Sequence, residues 1–356
     1  MNRPTPHHMS DTFTPILLAW FAENGRTHLP WLESKNPYHI WLSEVILQQT
    51  RVEQGTPYFL KFREKYPTIF DLAAALDDDV MKTWEGLGYY SRARNMLSAA
   101  RFVVSDLGGV FPNTYPEIRA LRGVGPYTAA AIASFAFGLP YAVVDGNVYR
   151  VLARVFGIES PTDETTTKKD IAALAQSLLP TSNVADFNQA MMDFGATVCT
   201  PAAPKCPTCP LQNTCFAYAH QAQSRLPVRA KKQPKRTRLL TYYVARWQGF
   251  VWLHHRTAKD IWQGLYDFPS IETTENDPIA FDFPKHRVAD TQGPFKQQLT
   301  HQTIIAHFVS LDLETAWLNP PENCLKIAEK DLRKYAFPKI VDMFLKLAQT
   351  SVLVTC

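Results

Sequence analysis

No apolar run in this sequence is long enough to cross a membrane. The longest charge-free stretch of interest, residues 129–144, falls short of the roughly 20 apolar residues of a span and contains Gly138 and Pro140. It predicts a buried helix and its exit turn. The opening segment, MNRPTPHHMSD, lacks the apolar stretch of a secretory signal; it predicts an unstructured start and argues against export. Cysteine is scarce and uneven: of six, four crowd between Cys199 and Cys215, while Cys324 and Cys356 stand far apart. That crowding argues for a metal and against a disulfide framework. Internal repeats and long low-complexity tracts are absent too, which excludes solenoids and fibrous proteins.

Charge of either sign is nearly balanced, with a net of +4, and its placement matters more than its size. Lys and Arg number 18 against 20 Asp and Glu in residues 1–224, 7 against 0 in 225–238, and 12 against 13 in 239–356. The whole positive excess therefore sits in the short segment SRLPVRAKKQPKRTR, which reads as an extended linker, either a solvated tether or a phosphate-contacting strap. A chain of 356 residues exceeds one ordinary core, so two domains are expected. The texture on the two sides differs accordingly. Up to about residue 219 apolar residues recur every three to four positions, predicting helices over 14–24, 40–54, 57–66, 91–107 and 127–137. Beyond the linker, short β-rich runs follow at 239–246, 250–254 and 304–311, with a closing helix over 338–348.

Three motifs in the helical half could carry chemistry. In Leu121-Arg122-Gly123-Val124-Gly125-Pro126-Tyr127-Thr128, two glycines permit a tight turn between helices and Pro126 suits the first helical position. Backbone N–H groups at such a turn can hold a phosphate. Asp145, in Val144-Asp145-Gly146-Asn147-Val148, opens the next helical run and fits an N-cap, a role compatible with catalysis. Glu44 shares a helix face with Ile40 and Leu47, and such apolar neighbours raise a carboxyl pKa, as a general acid requires. Two carboxylates in unlike environments form the usual pair for breaking a glycosidic bond.

The spacing Cys199-x6-Cys206-x2-Cys209-x5-Cys215 suits either an iron–sulfur cluster or structural zinc. Zinc ribbons present two short Cys pairs and only one is found here, so spacing favours the cluster. Either metal would pin the loop that presents Lys205.

In this order the motifs resemble the helix-hairpin-helix DNA glycosylase superfamily and, within it, the MutY-type adenine DNA glycosylases. The resemblance spans nearly the whole chain. It implies an all-helical catalytic region over 1–224, made of a six-helix module (about 30–135) and an iron–sulfur module (about 1–29 with 136–224) holding a [4Fe–4S] cluster. The linker 225–238 would lead to a MutT-like, Nudix-fold α/β domain over 239–356. By the same resemblance Glu44 would protonate adenine N7, Asp145 would stabilise the oxocarbenium-like sugar, Asn147 would position that carboxylate and water, and Tyr127 would lie against the sugar. Gln49 and Tyr89 would wedge into the duplex where adenine leaves. Arg92, Arg94 and Arg122, with the backbone of Gly123, Val124 and Gly125, would hold phosphates. The implied substrate is double-stranded DNA with 8-oxoguanine:adenine or guanine:adenine mispairs, and the implied protein a bacterial, cytoplasmic, DNA-associated monomer with no membrane partner.

Position 127 separates the enzymatic rivals. Endonuclease-III-type relatives carry there a lysine that attacks the sugar as a Schiff-base nucleophile; tyrosine cannot, which implies hydrolysis without efficient strand scission. The carboxy-terminal half has the resemblance in Trp252-Leu253-His254-His255-Arg256 and in Ile261-Trp262-Gln263-Gly264-Leu265-Tyr266-Asp267-Phe268-Pro269, but lacks the Arg-Glu and Glu-Glu pairs of a Nudix catalytic helix. Lesion recognition in the family uses a loop reading Phe-Ser-His. The matching stretch is Leu299-Thr300-His301, with leucine in place of the aromatic wedge. The competing readings are an endonuclease-III-like or thymine glycosylase, a DNA-binding redox sensor and a zinc-binding structural protein.

Overall fold

A computed structural model describes residues 6–230, 234–272 and 281–353. The chain divides into two compact units, Met1–Ala73 with Ser98–Lys232, and Ala74–Leu97 with Gln233–Cys356. Helices α1 (Pro6–Asn24), α2 (Pro37–Leu47), α3 (Val52–Lys65) and α4 (Ile69–Ala74) come first. They are followed by α5 (Asp77–Trp84), α6 (Ser91–Asp106), α7 (Tyr115–Ala120), α8 (Pro126–Phe137) and α9 (Gly146–Phe156). The helices α10 (Thr165–Ser177), α11 (Val184–Thr197) and the short α12 (Phe216–Ala219) close the helical half.

The helical reading holds, with its boundaries moved. The first helix begins at Pro6, ahead of the expected start. The break expected between residues 54 and 57 falls instead at Gln48–Arg51, because Gln49 adopts a left-handed φ of 57° that no helix can continue through. Pro57 lies inside α3. In the first unit Phe13, Leu17, Val148, Val151, Leu152, Phe187 and Phe194 form a core between α1, α9, α10 and α11. Each such side chain contributes roughly 1.5–3 kcal/mol. Cys199, Cys209 and Cys215 pack against this core.

Among the described residues the second unit carries a seven-stranded mixed sheet of order β3-β2-β1-β6-β5, with β4 against β1 and β7 against β2. The strands are β1 (Arg236–Trp247), β2 (Phe250–His255), β3 (Tyr266–Asp267), β4 (Ser270–Glu272), β5 (His286–Gln298), β6 (Gln302–Leu313) and β7 (Cys324–Ala328). Central β1 and β6 run parallel from Arg236 opposite Gln302 to Arg246 opposite Asp312, and the other pairs are antiparallel. Alternate residues of β1 therefore serve opposite faces. Tyr242 stacks on Phe308, which stacks on Phe344 of the closing helix α13 (Lys339–Leu353), while Tyr243 and Ala245 pack with Trp252 and Trp317. Cys324 packs in this second cluster, and burial pushes its thiol up to about 12. Cys356 lies outside the described residues.

The basic stretch is anchored at both ends. Leu226 is 1% exposed, its carbonyl accepts from the Arg154 Nε at 2.9 Å, and Val228 O and the Ala230 N–H bond to Thr162 and Asp163. Arg225 pairs with Glu159, Arg236 with Glu272, and Arg238 with Glu272 and Asp260. Residues 231–233 lie outside the described residues. Of these three arginines only Arg238 is buried against its carboxylates; Arg225 and Arg236 pair at the surface with 54% and 73% of their side chains exposed.

Candidate active site

The first unit contains a cavity of ≈ 150 Å³ lined by Glu44, Tyr127, Asp145 and Asn147. It is smaller than the roughly 300 Å³ at which drug-sized pockets begin, and suits one planar heterocycle. Asn36 caps α2 by accepting the Tyr38 N–H, and the apolar run that follows buries its helix on most sides, Glu44 included. Glu44 is 7% exposed, and burial, reinforced by the Asp145 charge, pushes its pKa up to about 7. The Tyr127 hydroxyl faces both the Glu44 carboxyl and, at 3.8 Å, the Met192 sulfur. It has one proton, and a carboxyl oxygen is a stronger acceptor than a thioether sulfur.

Asp145 is the N-cap of α9. Its Oδ1 accepts the N–H groups of Asn147 and Val148 at 2.8 Å, and its Oδ2 accepts Asn147 Nδ2 at 2.7 Å. Burial raises its pKa while these donors and Arg150 oppose the rise. The two carboxyl groups thus differ: Glu44 sits among apolar neighbours, and Asp145 is held by three donors. Asn147 Oδ1 in turn accepts Arg150 Nη2 at 2.8 Å, and Arg150 donates onward to Gly195 O and Cys199 O, both at 2.7 Å. A continuous polar chain therefore runs from the Asp145 carboxylate to the backbone of the first cysteine.

Sequence reasoning missed Arg26, Gln189 and Asp193. Asp193 is 0% exposed and accepts the Arg26 backbone N–H, two guanidinium bonds and the Gln189 amide at 2.7–2.9 Å. Arg26 and Gln189 also line the cavity. The only signal was Gln189 and Asp193 four apart on one helix, α11.

The hairpin turn lies between α7 and α8. Gly123 has φ 81°, and a Cβ added at Gly125 would meet nothing within 4 Å, so the turn is open to a ligand there. Val124 departs from expectation: its side chain is buried and its N–H donates to Leu121 O, which occupies the group meant for phosphate. Arg122 is exposed and near Ser98. Gln49 is exposed in its left-handed turn, and the preceding Gln48 ties to the Thr128 hydroxyl at 3.0 Å.

In the second unit, Tyr89 is also left-handed and exposed, and its hydroxyl meets the Thr300 hydroxyl at 2.6 Å. Leu299, Thr300 and His301 form the tip of the β5–β6 hairpin, closed by Leu299 N–H to Gln302 O. Arg92 and Arg94 do not reach outward as expected. Arg92 is buried against carbonyls of its own turn, and Arg94 donates to Gln263 O. The four cysteines line one further cavity, in the first unit, with Arg154 and Lys205. Burial and the neighbouring thiols push Cys209 up to about 11 and raise Cys215. Gathering four thiolates is unfavourable unless a cation neutralises them, so the donor set fits a bound metal group.

Residues 42–177 match the HhH-GPD superfamily of base excision DNA repair proteins, and residues 241–347 match the NUDIX domain. The chain is thus a helix-hairpin-helix glycosylase fold joined to a Nudix-like domain. An adenine DNA glycosylase from Buchnera aphidicola subsp. Schizaphis graminum (strain Sg) is 32% identical over 342 residues, 94% of this chain and 98% of its own. The human adenine DNA glycosylase is 44% identical over 223 residues, 60% of this chain and 41% of its own. The chain belongs to the adenine DNA glycosylase family. Among solved structures, a thermostable thymine-DNA glycosylase is similar with a TM-score of 0.56 and 32% identity, covering 60% of this chain and 98% of its own. An endonuclease III–DNA complex, at TM-score 0.53 and 23% identity over 63% of this chain and 99% of its own, shares the fold.

Proposed function

We propose that this protein releases adenine mispaired with 8-oxoguanine or guanine in double-stranded DNA, hydrolysing the N-glycosidic bond and leaving an abasic site. The carrying observation is a pair of carboxyl groups on one base-sized cavity, Glu44 pushed up to about 7 and Asp145 held by three donors. The target bond is inaccessible in a stacked duplex, so the nucleotide must first flip out. Neutral Glu44 would then protonate adenine N7, which makes the base a better leaving group. Anionic Asp145, oriented by Asn147, would stabilise the cationic sugar while water adds. Gln189 and Arg26 offer polar groups to the base, and Tyr127 closes the sugar side.

Tyr127 carries no amine, so no Schiff base forms there. Breaks in an 8-oxoguanine:adenine duplex are expected only after alkali. Efficient borohydride trapping of the protein on its product would overturn the hydrolytic reading and favour an endonuclease-III-like enzyme.

Cys199, Cys206, Cys209 and Cys215 would hold a [4Fe–4S] cluster. Among the described residues no three His, Cys, Asp or Glu converge closely enough to hold one metal ion, so the reading rests on the spacing of the four cysteines and the one cavity they line. Bound there, the cluster would pin the loop and present Lys205. Purified protein is expected to contain iron, and Cys209→Ser to lose it together with thermal stability. One equivalent of zinc without iron would refute the assignment.

We assign residues 239–356 to reading the base opposite adenine, through Leu299, Thr300 and His301, in a monomeric protein of the bacterial cytoplasm. Deleting that segment should leave adenine release but erase most preference for 8-oxoguanine:adenine over guanine:adenine. An unchanged preference would place recognition elsewhere.

A further inference from the structure

The turn between α5 and α6 holds Tyr89 in an unfavourable state. Its backbone is left-handed at φ 46°, and its ring is 46% exposed. A bulky residue in that region costs on the order of 1–3 kcal/mol and persists only where its surroundings over-determine it. An exposed ring gains little from burial to offset that.

The surroundings here are Thr300, whose hydroxyl meets the Tyr89 hydroxyl at 2.6 Å at the far end of the ring, and Arg92 and Trp84 at the turn itself. Arg92 is 9% exposed, and its backbone N–H donates to Tyr89 O at 2.9 Å. Its Nη2 donates to Gly88 O at 3.2 Å and Leu87 O at 3.5 Å, and the Trp84 indole N–H donates to the same Gly88 O at 3.0 Å. The guanidinium lies over the Trp84 ring at 4.9 Å and the Tyr89 ring at 5.7 Å. A phosphate ligand must present its donors to solvent. This guanidinium has turned them onto the carbonyls that precede the left-handed residue, and its face onto the ring that follows them.

We propose that Arg92 is a positioning residue, which holds the Tyr89 ring outward in its left-handed turn, ready to enter the base stack, without itself touching DNA. The inference rests on reading Tyr89 as the duplex wedge. The role needs the planar fork of arginine, which bonds adjacent carbonyls and lies on rings together; lysine keeps the charge but can do neither.

The test uses the full chain and a mispaired duplex with 2-aminopurine as the target base. Fluorescence reports flipping, and affinity for undamaged duplex is measured against salt. Tyr89→Ala, Arg92→Lys and Arg92→Met should each slow flipping about tenfold, the effect of roughly 1.4 kcal/mol at a barrier. The double variant Tyr89→Ala/Arg92→Lys should be no slower than Tyr89→Ala, since both changes remove one device. The salt dependence of Arg92→Met should match the unaltered protein. Gly88→Ala covers the case in which the Arg92 variants do not fold: its Cβ meets nothing within 4 Å, but its φ of +74° strains the turn from outside. It should slow flipping likewise. Arg92 is instead a phosphate ligand if Arg92→Met lowers the salt slope by about 0.9 while Arg92→Lys flips normally. The proposal also fails if Tyr89→Ala slows flipping and neither the Arg92 variants nor Gly88→Ala do. Normal flipping by Tyr89→Ala would remove the wedge reading itself, and the proposal with it.

Discussion

Glu44→Gln is expected to abolish adenine release and, above neutral pH, to make the protein more stable. Loss of a general acid lowers rate by about 10²–10⁴, and single-turnover release from an 8-oxoguanine:adenine duplex measures it. The stability effect follows from linkage. Burial raises the Glu44 pKa to about 7, so the fold favours the neutral acid. Below the ordinary carboxyl range the group is neutral in both folded and unfolded chains, and the amide variant should melt with the unaltered protein. As pH rises from 4.5 to about 7 the unfolded chain ionises while the fold holds Glu44 neutral, and the accumulated penalty approaches about 3 kcal/mol. At pH 5 the variant should therefore melt only slightly higher, by an effect of about 0.8 kcal/mol, and at pH 8.5 the two curves should separate fully, the variant being the higher. The same titration predicts that excision by the unaltered protein declines as pH rises through about 7, where the acid is lost. A variant that keeps activity within tenfold, or that melts lower at pH 8.5, would remove Glu44 as a buried acid.

What the sequence revealed and concealed follows the range of the interactions involved. Glu44, Asp145 and the hairpin glycines were legible because each acts through neighbours within a few positions: an apolar helix face, a cap, a left-handed turn. The clustered cysteines were legible for the same reason. Arg26 and Asp193 meet across 167 positions, and nothing local announces the pair. Strand β5 was missed because it lies at the sheet edge with mostly exposed, polar residues, so it lacks the alternation a half-buried strand shows. The inward turn of Arg92, Arg94 and Arg238 was not legible, since a basic residue looks the same in the sequence whether it points out to phosphate or in to a carbonyl or carboxylate. The helix break at Gln49 was invisible because a strained, non-glycine turn carries no propensity signal.

Asp145→Asn separates capping from catalysis, because asparagine caps a helix as well as aspartate does. Helix α9 should persist, yet adenine release should fall by about 10³, in line with loss of a single transition-state contact in a preorganised site and more, since a whole charge is removed. The polar chain adds a second consequence. Asp145 Oδ2 now accepts Asn147 Nδ2, while Asn147 Oδ1 accepts Arg150. An amide that keeps its oxygen on the two backbone N–H groups must turn its NH₂ toward the Asn147 NH₂. If Asn147 flips to accept it, the Asn147 NH₂ then faces the Arg150 guanidinium, another donor. One donor in the chain is left without its acceptor wherever the mismatch settles, at a cost of about 1–3 kcal/mol. The variant should therefore be moderately destabilised and nearly inactive. Asp145→Ser caps with one hydroxyl and also takes the acceptor from Asn147 Nδ2, but it opens room for a water to replace it and sets no NH₂ against NH₂, so it should be closer to the unaltered protein in melting temperature and equally inactive. Activity that followed melting temperature across the two variants, recovering in Asp145→Ser, would reduce Asp145 to a cap. Inactivity in both, at different stabilities, would establish that the reaction needs its charge.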